Sequence, residues 1–123
     1  MTEIEFEALA AQGYNRIPVS LETFADLDTP LSIYLKLAGE PFSYLLESVQ
    51  GGERFGRYSI IGLAATTRIV VRADEVLVLT GNRIAEREDD TNPLDFIDHY
   101  MKRFRAAPVA GLPRFCGGLV GCF

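Results

Sequence analysis

Apolar residues recur at helical spacing in two stretches of the chain, and much of what lies between them alternates with the period of a strand. In the first stretch Leu31, Tyr34, Leu35 and Ala38 share one face, which is expected to pack inward. Thr29 can cap this helix, Pro30 suits its first position and Gly39 ends it. In the second, Leu94, Ile97, Tyr100, Met101 and Phe104 form the stripe of a helix that starts at Asn92, with Pro93 at its first position. Asp95 stands near its beginning and Lys102, Arg103 and Arg105 near its end, the order that the helix dipole favours. A shorter helix is expected at the N-terminus, where Thr2 and Glu5 have the spacing of a capping box and Gly13 supplies a stop.

Residues 42–49 read as a strand, with Phe42, Tyr44, Leu46 and Ser48 on one face and Ser43, Leu45, Glu47 and Val49 on the other. Gly51-Gly52 marks a turn, and residues 57–62 read as the returning strand. Three short β-rich runs follow at 68–72, 75–80 and 83–87, the last two joined by the hairpin signal Gly81-Asn82. The expected product is an antiparallel meander, with 86–90 as a charged loop. Residues 16–21 contain Pro18, which cannot donate to a ladder, so this run is an edge strand or a loop. Residues 108–113 form a connector, and 114–123 read as a final apolar strand with three glycines. Such a strand at a chain end would be an aggregation hazard as a free edge, so it belongs inside this sheet or inside something larger. Helices and a hairpin-rich sheet are mixed without repeats, so the predicted class is α+β: one antiparallel sheet with hairpins and two or three helices.

Composition narrows the function classes. A net charge of −5 argues against a nucleic-acid backbone or an anionic lipid surface as partner. No run of about 18 apolar residues is present to span a membrane. The acidic start, Met1-Thr2-Glu3-Ile4-Glu5, is the opposite of a secretory signal, so a cytoplasmic location is the default. Cys116 and Cys122 fit no zinc spacing, and the single His99 lies far from them in sequence.

Few residues suggest chemistry. Glu47 and Ser48 place a carboxylate and a hydroxyl at the end of an apolar strand. In a regular strand they face opposite ways; a bulge at 49–52 could turn both toward one pocket, where they would meet an ammonium and a second polar group. On physical grounds alone a solvated Glu47 and a turn-starting Ser48 are favoured. The glycine- and arginine-rich segment 51–57 lacks the Lys-Ser/Thr ending of a phosphate loop, and Gly117-Gly118-Leu119-Val120-Gly121 lacks the following helix of a dinucleotide site. His99 sits among Asp95, Asp98, Lys102 and Arg103, on the expected wet face. No acid, base and electrophile set is complete.

Several segments nevertheless resemble one family in order. Pro30-Leu31-Ser32-Ile33-Tyr34-Leu35-Lys36-Leu37, Ser43-Tyr44-Leu45-Leu46-Glu47-Ser48-Val49 and Gly52-Glu53-Arg54-Phe55-Gly56-Arg57-Tyr58-Ser59-Ile60-Ile61-Gly62 are similar to the N-terminal region of anthranilate synthase component I. Asn92-Pro93-Leu94 and residues 112–121 are similar to the same family further along; the glycine block is shared with other chorismate-using enzymes. The resemblance covers nearly the whole chain and implies that residues 1–123 are an N-terminal domain, an incomplete part of a larger fold. It implies an enzyme that makes anthranilate and pyruvate from chorismate, with ammonia drawn from glutamine by a partner amidotransferase subunit. It implies a need for magnesium, with the chorismate and magnesium residues on polypeptide absent here. It further implies a feedback site for L-tryptophan to which Glu47 and Ser48 contribute; Arg57 is added on its charge, as a nearby cation outside what the resemblance implies. After Gly121 the family pattern continues through an aromatic residue and Phe-Gly-Tyr-Asp, whereas this chain reads Cys122-Phe123. Two other readings are a piece of the aminodeoxychorismate synthase large subunit and a free-standing amino-acid-binding module. The fuller block at 52–59 favours the first family over its sibling.

Overall fold

The computed structural model describes residues 1–47 and 58–122. In chain order these form α1 (Glu3–Ala11), α2 (Pro30–Leu37), β1 (Tyr44–Glu47), β2 (Ser59–Gly62), β3 (Thr67–Arg72), β4 (Glu75–Thr80), β5 (Arg83–Asp89) and α3 (Pro93–Met101). The class is α+β. β1 and β2 form one antiparallel pair, and β3-β4-β5 form a second antiparallel sheet. The turn expected at Gly51-Gly52 lies outside the described residues.

The chain divides into two compact units, residues 1–22 with 94–123 and residues 23–93. In the first, α1 opens with the expected capping box: Glu5 N–H donates to Thr2 Oγ1, and Thr2 N–H donates to Glu5 Oε2 at 2.7 Å. It closes on Gly13 at φ 84, whose N–H donates to Ala10 O while Tyr14 N–H donates to Leu9 O. That pair of bonds is a Schellman motif, which a left-handed glycine permits. The segment after α1 is a loop rather than a strand. Its one ladder contact is a parallel bridge from Arg16 to Ala106. Asn15 anchors it: its Nδ2 donates to Arg103 O at 2.7 Å and its Oδ1 accepts from Arg105 N–H at 2.7 Å.

In α3 the buried residues are Phe96 and Tyr100, and Leu94 is 62% exposed. The inward row is therefore Phe96–Tyr100–Phe104, with ring centroids 6.1 and 5.3 Å apart, and Phe104 follows the helix rather than ending it. This corrects the expected stripe at Leu94. Residues 114–122 form bends and coil, with Gly117 and Gly118 at φ 152 and 141, so the expected final strand is not present there.

In the second unit β4 is the centre. Val76, Leu77 and Val78 are consecutive and all buried, so β4 is enclosed on both faces. The β4–β5 turn is the predicted one, with Gly81 at φ 59 as the first of two loop residues. The β3–β4 turn also uses two residues, and its first, Ala73, takes φ 53 without glycine's freedom. β5 runs on to Asp89, so most of the segment expected as a charged loop is strand. Its register shifts between Val78 and Leu79, leaving Ala85 as the extra residue of a bulge.

Candidate functional site

β1 carries Glu47, and α2 positions β1. Thr29 caps α2 and Ser32 returns the bond to Thr29 N–H at 2.9 Å. Asp28 accepts from Ser32 Oγ at 2.8 Å and from Lys36 Nζ at 2.6 Å. These two bonds, the lysine's first, hold the Asp28 carboxyl below the usual carboxylate range. At the other end, Tyr34 Oη donates to Ser43 Oγ at 3.0 Å, and Ser43 Oγ can donate onward to Ala38 O or Glu40 O. Ser43 thus ties the C-terminal turn of α2 to the residue just before β1.

Phe42, read from sequence as the first residue of the strand, stands at φ 65. Glu40-Pro41-Phe42-Ser43 has the pattern of a type II turn, with Pro second and a left-handed residue third, where glycine is usual. A bulky residue there is strained, so neighbours must hold it. Arg68 lies 3.9 Å over the Phe42 ring, and Ala65 N–H donates to Phe42 O at 3.1 Å. Pro41 is a sequence signal for this turn that the strand reading of 42–49 passes over; nothing local signals a left-handed phenylalanine.

From this turn β1 pairs with β2 in the register Tyr44↔Gly62, Leu45↔Ile61, Leu46↔Ile60 and Glu47↔Ser59. Tyr44 and Leu45 are half-buried, and Leu46 and Glu47 are exposed. Glu47 has no hydrogen bond or ion pair among the described residues, so its carboxylate stands in solvent at the end of the ladder. Ser48 and Arg57, the other two residues expected at the ligand site, lie outside the described residues.

Three further titratable groups have partners within the fold. His99 is exposed, and its Nδ1 is 2.8 Å from Asp95 O. Asp98 is held below the usual range by Lys102, whose Nζ donates at 2.5 Å. Arg87 pairs with Glu75 at 2.9 Å and Asp89 at 3.1 Å. Cys116 and Cys122 are exposed free thiols. Among the described residues no group of three or more His, Cys, Asp or Glu could hold a metal ion. No helix of the described residues is long and apolar enough to cross a membrane.

Comparison with known proteins adds what the geometry lacks. The chain is 57% identical over all 123 residues to a Pseudomonas aeruginosa protein named anthranilate synthase component 1, and 55% identical over 123 residues to one of that name from Pseudomonas putida. It is 56% identical over 119 residues, 97% of the chain, to one from Neisseria meningitidis serogroup B. It spans about a quarter of the length of these relatives: 25%, 25% and 24%. Neither a family model nor a solved structure matches the chain.

Proposed function

Because the chain is homologous along its whole length to the N-terminal quarter of proteins named anthranilate synthase component 1, we propose that it serves as that region of such a subunit and carries part of a tryptophan feedback site. On this reading the assembled enzyme is a lyase of tryptophan biosynthesis that makes anthranilate and pyruvate from chorismate. Its ammonia comes from glutamine through an amidotransferase subunit, and its setting is the cytoplasm. The catalytic groups, with magnesium, belong to polypeptide beyond these residues, and the 123-residue chain is inactive by itself.

The whole-length identity to the relatives carries the reading. The exposed carboxylate of Glu47, which has no partner among the described residues, agrees with the site assignment: it would meet a ligand ammonium, Ser48 would offer a hydroxyl and Arg57 a nearby cation. An ammonium–carboxylate bond is charge-assisted, so its loss weakens binding severalfold or more.

A chimera tests this. The chain replaces the matched quarter of the Pseudomonas aeruginosa protein, and anthranilate fluorescence is followed with chorismate, magnesium and ammonia. Turnover inhibited by tryptophan is expected, and Glu47→Ala should raise the half-inhibiting concentration about tenfold without lowering turnover. A folded chimera without turnover would overturn the reading. Calorimetry of the 123-residue chain with tryptophan should show no saturable binding, because a pocket lacking a wall leaves its ligand in water. Clear saturation would favour an amino-acid-binding module instead.

A further inference from the structure

The predicted inward face of α2 divides: Ala38 is buried and Tyr34 half-buried, whereas Leu31 and Leu35 face outward. Leu31 is 53% exposed and Leu35 67%, and they stand one turn apart on the same side of the helix. The approach to the helix continues the surface: Phe24 is 95% exposed and Leu27 100%. Leu27 is not on a loose arm. It adjoins Asp28, which is bonded to Ser32 and Lys36 of the helix and whose N–H closes a turn on Ala25 O at 3.0 Å. Four large apolar side chains on α2 and the segment leading into it are thus exposed, in a stretch that also carries Asp26, Asp28, Lys36 and Glu40. A surface of this kind marks a contact with other polypeptide.

We propose that this face of α2 receives the polypeptide that, in the relatives, extends beyond the matched quarter. The argument is one of length. The chain corresponds to 25% of relatives to which it is 55–57% identical, so about three-quarters of each relative's polypeptide has no counterpart here. Residues at helical spacing that stay in water in the shorter chain fit a surface whose cover lies in the longer one. The inference rests on the relatedness of the chains and not on the feedback site or on turnover.

Accessibility distinguishes this occupant from a second copy of the chain. Leu31→Cys and Leu35→Cys are introduced separately, with Cys116 and Cys122 changed to serine, into the 123-residue chain and into the chimera described above. Maleimide labelling is expected to be fast in the short chain at all concentrations and at least tenfold slower in the chimera. Equal rates in both proteins would overturn the proposal. So would labelling that slows as the short chain is concentrated, which would assign the face to self-association. Should the chimera fail to fold, the remaining three-quarters of the Pseudomonas aeruginosa protein is added as a separate polypeptide. Protection of both cysteines is then expected, and unchanged labelling again overturns the proposal. A chimera that protects both cysteines but lacks turnover would leave this inference standing while sinking the functional one.

Discussion

The ring of Tyr44 fills the space that a side chain at its cross-strand partner Gly62 would need. A Cβ built at position 62 overlaps three atoms of the tyrosine ring. Glycine in a strand ordinarily weakens it, but here its bareness lets an aromatic ring cover the partner backbone. Gly62→Ala is therefore expected to destabilise the chain by about 1–3 kcal/mol, the usual range for overpacking. Adding Tyr44→Ala should recover part of that loss, giving a coupling energy of about 1 kcal/mol in a urea-denaturation double-mutant cycle. Additive single effects would show that ring and glycine do not compete for the same space.

Ala73 is the opposite case, a side chain where glycine would serve better. It occupies the first of the two residues between β3 and β4 at φ 53, and left-handed backbone costs a residue with a Cβ roughly 1–2 kcal/mol. Ala73→Gly removes that strain and restores some freedom to the unfolded chain, for a net gain of about 0.5–1 kcal/mol. The urea midpoint should rise. A fall would mean that the alanine methyl contributes a contact worth more than the strain.

The start of α2 should weaken in acid. Lys36 and then Ser32 lower the Asp28 pKa in the folded chain. A depressed folded value means that the contribution is complete above the unfolded carboxylate pKa of about 4 and is lost as pH falls through the folded one. Wild type and Asp28→Asn should thus differ most at neutral pH and converge as the pH falls below the usual carboxylate range. Glu5 and Asp98 shift in the same direction but are common to both proteins, so they cancel in the difference. A gap between the two midpoints that is constant from pH 7 to pH 3 would rule out the ion pair as its source.

Sequence patterns revealed the local elements well and the larger surroundings poorly. The Thr2–Glu5 capping box, the Thr29 cap, Pro30, Gly13 and Gly81 act within a few residues, and the two helices and the β4–β5 hairpin that they signal stand where expected. Misreadings arose where the deciding partner is distant. Along α3 two adjacent ridges are equally apolar, and periodicity alone could not choose the Phe96–Tyr100 row over one containing Leu94. In β5, Glu86-Arg87-Glu88-Asp89 resembled a solvated loop because an edge strand tolerates charge on its open side. Arg87, bridging to Glu75 of β4, shows how such residues support a ladder. Phe42 depends on Arg68 from another sheet, which no local rule reports. Of the candidate site, only a strand-end carboxylate and hydroxyl at Glu47 and Ser48 are legible from physical pattern; their role comes from family resemblance, and Arg57 is added on its charge.

The bonds from Asn15 to the backbone of Arg103 and Arg105 bear on the order of folding. They span 88 and 90 residues, and joining chain ends that far apart costs about 4 kcal/mol of loop-closure entropy before any contact repays it. The β3-β4-β5 hairpins close over two residues each and face almost no such barrier. During synthesis α1 emerges before the hairpins, yet its anchor at Asn15 must wait for residue 105 to leave the ribosome, so residues 67–89 are positioned to organise ahead of it.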